Sequence, residues 1–168
     1  MKKLYLAAGC FWGAQRFFDQ FEGVVSTEVG YANGPTASPS YEQVCADSGH
    51  AEAVRVEFDE NAISVRELME YYFMIIDPTS VNRQGEDEGV QYRTGVYYED
   101  EALRPEIEAA FRAESEKIGA PLAVELLPLE NFYGAEEYHQ KYLVKNPTGY
   151  CHVAPWLLNL KAKRGEEK

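Results

Sequence analysis

The chain has 168 residues, 45% hydrophobic and 26% charged, with a net charge of −12 at pH 7 and an isoelectric point near 4.7. This suits one globular domain with a substantial core, and its acidity excludes a nucleic-acid partner, which needs a basic face. No apolar run is long enough to cross a membrane, and three cysteines without CxxC or Cys/His metal spacing exclude a disulfide framework and a zinc site.

The expectation is a single catalytic domain over 1–160, with a frayed tail over 161–168. It should be a monomeric cytoplasmic protein that works by reactive thiols and needs no metal or cofactor. Met1 to Cys10 loosely mimics a lipoprotein signal, but Leu4 to Gly9 is six residues. A signal's apolar region needs roughly 7–15.

In chain order, residues 4–8 read as a strand and 12–22 as a helix ending at Gly23. A second strand follows over 24–30. Residues 30–50 read as loop, with turn chemistry at Asn33-Gly34-Pro35 and Ser38-Pro39-Ser40. A loop of this length inside one domain is often functional. His50 to Asp59 alternates as a strand does. Ser64-Val65-Arg66-Glu67 is a capping box that opens a helix, stopped by Asp77-Pro78. Residues 78–93 form a second polar loop, and Thr94 to Tyr98 a strand. A long amphipathic helix runs from Leu103 to Ile118, closed by Gly119-Ala120-Pro121. Ala123 to Leu127 reads as a strand, and Ala135 to Leu143 as a short helix with Tyr138 and Tyr142 on one face. The order strand-helix-strand-strand-helix-strand is that of the ferredoxin-like split βαβ fold. The fold class is therefore α+β, a sandwich with an antiparallel or mixed sheet, with an added helix, strand and long loops.

Cys10 falls where the first strand ends and the first helix begins. A free cysteine is usually a small buried hydrophobe. A thiol at a helix N-terminus instead ionises more readily, because the outward N–H groups favour an anion. Gly9 and Gly13 leave the sulfur approachable, and Phe11 and Trp12 can wall an apolar pocket beside it. Alternation in the third strand puts Glu52 on one face with His50 and Val54. That glutamate is either solvent-facing or, against apolar walls, a carboxyl that keeps its proton to higher pH.

Gly9-Cys10-Phe11-Trp12-Gly13 resembles the active-site signature of the type A peptide methionine sulfoxide reductases. The likeness extends through Val29-Gly30-Tyr31, Pro39-Ser40-Tyr41, Gly49-His50-Ala51-Glu52-Ala53-Val54, Asp77-Pro78-Thr79, Asn82-Arg83-Gln84-Gly85, Gln91-Tyr92-Arg93, Phe132-Tyr133 and Glu136-Glu137-Tyr138-His139-Gln140. These blocks lie in order over about residues 4 to 152.

The resemblance implies reduction of methionine-S-sulfoxide, free or in proteins. Cys10 would attack sulfur and Glu52 would be the acid. Tyr41 and Tyr92 would hydrogen-bond the sulfoxide oxygen, and Phe11 and Trp12 would hold the methyl group. Asp87, with Glu86 as alternative, would contact the substrate backbone. Cys151, in the loop-like Pro147 to His152, would condense with the sulfenic acid on Cys10 to a disulfide. Many members carry a further recycling cysteine beyond this one, and Val153 to Leu160 contains none. Thioredoxin would therefore reduce the Cys10–Cys151 disulfide directly. Cys45 and His139 read as structural, and His50 as a hydrogen-bonding scaffold. Two other classes stay in view: a Cys-dependent acyl-transfer hydrolase pairing Cys10 with a histidine, and a non-enzymatic aromatic-cage binding module.

Overall fold

The computed structural model describes residues 1–160 apart from 47, 85, 86 and 152. Glu86, His152 and the tail expected over 161–168 lie outside the described residues.

Strand β1 (Lys2–Ala8) runs through the middle of a six-stranded sheet. Helix α1 (Phe11–Phe18) returns across one face to β2 (Val24–Ala32). Strand β3 (Ala51–Phe58) pairs antiparallel with both β1 and β2. Helix α3 (Val65–Met74) packs on the same face as α1 and leads to β6 (Thr94–Tyr98), antiparallel to β1. The spatial order β6-β1-β3-β2 with two helices on one face is the expected ferredoxin-like core. Two strands extend it. β7 (Glu125–Pro128) lies parallel to β6, and β8 (Phe132–Gly134) lies antiparallel to β2 at the opposite edge. The sheet is thus mixed. Helix α4 (Arg104–Ile118) buries Ile107 in the core and ends at Gly119, whose φ of 70° closes it.

The two faces differ in kind. Leu4, Leu6, Val29, Val54, Val56 and Phe58 point to the helices and meet Phe17, Phe18, Leu68 and Met69. The opposite face carries Ala7, Ala32, Ala51 and Ala53, covered by Tyr5, Tyr97, Leu129 and Phe132. Between β1 and β6, the buried Tyr72 hydroxyl donates to Ala7 O (2.6 Å) and accepts from Gly95 N–H (3.1 Å).

Three segments depart from the sequence expectation. The loop over 30–50 holds helix α2 (Tyr41–Cys45), opened by a capping box between Ser40 and Gln43. The loop over 78–93 holds a two-strand ladder, β4 (Arg83–Gln84) with β5 (Asp87–Glu88), and a 3-10 turn over Val90–Tyr92. The helix expected over 135–143 is broken. A 3-10 turn spans Glu137–His139, Lys141 is left-handed at φ 55°, and α5 covers Tyr142–Lys145. Tertiary bonds override the helical pattern here: Gln140 brackets Val29 through its N–H and C=O, and Lys141 N–H donates to Gln15 Oε1. Tyr138 is consequently exposed, while Tyr142 turns inward. Helix α1 also ends at Phe18, four residues before the expected stop at 22.

Candidate active site

Strand β1 delivers the chain to Gly9, whose φ of 81° makes the turn that an L side chain resists. Cys10 then occupies the position just before the first residue of α1, with extended backbone (φ −59°, ψ 124°). Its sulfur faces the helix N-terminus as expected, but it is buried, with 7% of the residue exposed. Burial pushes the thiol well above its ordinary range. The Glu52 carboxylate pushes the same way, and the Trp12 backbone N–H opposes both. The expectation of a readily ionised sulfur is therefore corrected: at rest Cys10 is a neutral thiol, because desolvation outweighs the helix terminus.

Glu52 comes from β3, directly opposite Tyr31 of β2. It lies on the helix-facing side with Val54 and is 1% exposed. Its Oε1 accepts the Phe11 N–H at 3.2 Å, so a residue adjacent to Cys10 holds the carboxyl. Its Oε2 is buried with no partner among the described residues. Burial raises the carboxyl to about 8, against the Phe11 hydrogen bond and with a smaller push from Asp87. The solvent-facing reading is excluded by this burial.

Aromatic rings surround this pair. Phe11 is buried and lies 5.8 Å from the Tyr31 ring and 5.2 Å from His139. Trp12 stacks on Tyr142 at 3.8 Å. Its indole N–H donates to His139 Nδ1 at 2.9 Å, which assigns the imidazole proton to Nε2. Burial lowers the basicity of His139, so it stays neutral. Glu136 accepts from the Tyr31 hydroxyl (2.8 Å) and from Tyr41 N–H (3.0 Å), fixing the start of α2. The Tyr41 ring lies 4.4 Å from His139. Sequence reasoning missed Glu136 and Tyr142. The only signal was their placement in the Glu136 to Gln140 block and on the pattern from Tyr138.

Tyr41 and Tyr92, 51 positions apart in sequence, both feel Glu52. Burial chiefly, and that carboxylate second, hold both phenols in the neutral, donating form. Asp87 on β5 accepts the Tyr150 hydroxyl at 2.8 Å, and its charge reaches Cys10 and Tyr92. Cys151 follows Tyr150, is half-buried, and lies within electrostatic range of Cys10. All three cysteines are free thiols. Cys45, read as structural, is exposed at the end of α2 and hydrogen-bonds Tyr41, so no core packing explains it. His50 fills the scaffold position expected of it, with ring nitrogens bonded to Ser48 Oγ (2.9 Å) and Thr36 O (2.8 Å).

A buried thiol facing a desolvated carboxyl and two phenols, on a ferredoxin-like frame, defines a cysteine-centred enzyme rather than a ligand cage. The chain belongs to the peptide methionine sulfoxide reductase family, whose model matches residues 2–167. It is 54% identical over 159 residues to peptide methionine sulfoxide reductase MsrA of Clostridium acetobutylicum, covering 94% of this chain and 98% of the relative. Among solved structures it is similar to reduced Mxr1 of Saccharomyces cerevisiae, with a TM-score of 0.86 and 40% identity over 91% of each chain. It is also similar to Mxr1 in complex with Trx2, with a TM-score of 0.60 and 27% identity over 84% of each chain.

Proposed function

We propose that this chain reduces methionine-S-sulfoxide, free or within proteins, using its domain over 1–160 as one catalytic unit in the cytoplasm. The observation that carries the reading is the unpartnered Oε2 of Glu52, a buried proton-bearing oxygen beside Cys10. A buried polar atom without a partner calls for an explanation, and a sulfoxide oxygen supplies one.

Glu52 donates its proton to that oxygen, with the Tyr41 and Tyr92 hydroxyls sharing the developing charge. The Cys10 sulfur bonds to the substrate sulfur and its thiol proton returns to Glu52, so the carboxyl ends as it began. Oxygen leaves on Cys10 as a sulfenic acid, and methionine departs as the thioether. Phe11 and Trp12 hold the methyl group, and Asp87 holds a backbone N–H of the substrate. Cys151 then attacks the sulfenic sulfur, forming the Cys10–Cys151 disulfide and releasing water. A thioredoxin dithiol exchanges with this disulfide and restores both thiols. The Mxr1–Trx2 complex supports that choice of reductant.

Among the described residues a hydrolase reading gains no support. His50 has both ring nitrogens bonded, and His139 Nδ1 is taken by Trp12. The test is Cys10→Ser, which should remove all sulfoxide reduction. Full activity in that variant would discard the mechanism.

A further inference from the structure

A groove of about 560 Å³ runs beside the edge strand β8, between Ser38, Ser40 and Gln43 on one wall and Phe132, Tyr133 and Gly134 on the other. Glu136, the residue that fixes Tyr41, also lines it. β8 is bonded to β2 through alternate residues. Asn33 N–H donates to Asn131 O and Ala135 N–H to Val29 O. In an antiparallel ladder this leaves the N–H and C=O groups of Phe132 and Gly134 directed to the open side. None of these groups has a partner among the described residues.

The groove is in line with the catalytic site. Glu52 pairs with Tyr31, and Tyr31 pairs with Tyr133, so the three side chains form one row across three strands on the helix-facing side. A chain added beyond Tyr133 lies three strand spacings from Glu52, about 14 Å. About four residues of extended chain cover that distance. Gly30 makes the close approach possible, since a Cβ there would lie 2.5 Å from Tyr133 O and the Phe132 ring.

We propose that this groove receives the extended polypeptide flanking the oxidised methionine, which adds main-chain hydrogen bonds to the free edge of β8. The inference rests on the sulfoxide-reductase reading above and names the macromolecular form of its substrate. The lining is uncharged except for Glu136, whose two oxygens are already engaged by Tyr31 and Tyr41. Recognition through the main chain reads no particular side chain. This matches a substrate defined only by its oxidised methionine.

The experiment compares KM for three S-sulfoxide substrates: N-acetyl-methionine sulfoxide amide, a short peptide with a central methionine sulfoxide, and that peptide with its flanking amides N-methylated. The plain peptide should have a KM about fivefold below the other two, the worth of one or two main-chain hydrogen bonds. In Ser38→Trp, which fills the groove from its exposed wall, the peptide's advantage over the minimal substrate should disappear. Because the readout is a ratio within one variant, general damage to the enzyme does not imitate it. Equal KM values for all three substrates in the unaltered protein would overturn the proposal. So would a ratio unchanged by Ser38→Trp, or a rise in thioredoxin KM alone, which would give the groove to the reductant. Failure of the unaltered protein to reduce any of the three sinks the functional reading instead.

Discussion

Phe11 N–H reaches across from the first turn of α1 to Oε1 of Glu52 on β3, at 3.2 Å. The bond joins residues 41 positions apart and ties the acid to the helix that carries the thiol. Both groups hold their protons because both sit where water does not reach, and the Glu52 charge raises the thiol further.

Glu52 should set the alkaline limb of activity. Its carboxyl donates only while protonated, so the rate should fall as pH rises through about 8. Glu52→Gln should lower kcat/KM by about 10²–10⁴-fold and flatten that limb. A pH–rate profile that falls equally in both proteins would exclude Glu52 as the acid.

The same carboxyl has a stability signature of opposite sense to a salt-bridged one. Its folded value lies above its ordinary 4.5, so the stability it lends is complete below 4.5 and is lost as pH rises through about 8. Melting temperatures across that window should fall more steeply for the native chain than for Glu52→Gln. Parallel curves would argue that the carboxyl is not desolvated in solution.

Cys151→Ser should still release one methionine per enzyme and then stop, with thioredoxin unable to restart it. A single-turnover burst followed by a flat trace is the expected record. Ordinary multiple turnover would remove Cys151 from the relay.

Alkylation should follow exposure. Iodoacetamide at pH 8 should modify Cys45 about tenfold faster than Cys10, since access and thiolate fraction together govern the rate. Peptide mapping by mass spectrometry reads this directly. Preferential labelling of Cys10 would mean that its sulfur is ionised at rest.

Tyr72→Phe keeps the ring and removes a hydroxyl that bonds both Ala7 and Gly95. The buried groups left behind should cost about 1–3 kcal/mol. Chemical denaturation should register this as a lower midpoint with an unchanged slope. An unchanged midpoint would mean that water replaces the hydroxyl.

Periodicity alone located most of the frame. The alternation from His50 to Asp59 places Glu52 with Val54, and both lie under the helices. The signature around Cys10 pointed to the site's centre. Helix α2 went unread although its Ser40–Gln43 capping box was visible, because five residues give too little pattern behind a cap. β8 was too short and too glycine-bounded to alternate. The state of the Cys10 sulfur is not legible in the sequence, because local helix geometry is written in neighbouring residues, whereas desolvation is imposed by distant ones. Lys141 illustrates the same limit, since its left-handed turn is set by Gln15 and by Val29, bonded to Gln140, from other elements.

The alanines behind Glu52 give the enzyme an asymmetric tolerance to change. Ala51 and Ala53 flank the acid in sequence and, with Ala7 and Ala32, form a small-residue layer packed beneath Tyr5, Tyr97, Leu129 and Phe132. Any larger side chain laid there would have to displace that cover or tilt the carboxyl from below. Drift among homologues should therefore concentrate in the segments overhead, with this filled underside kept small.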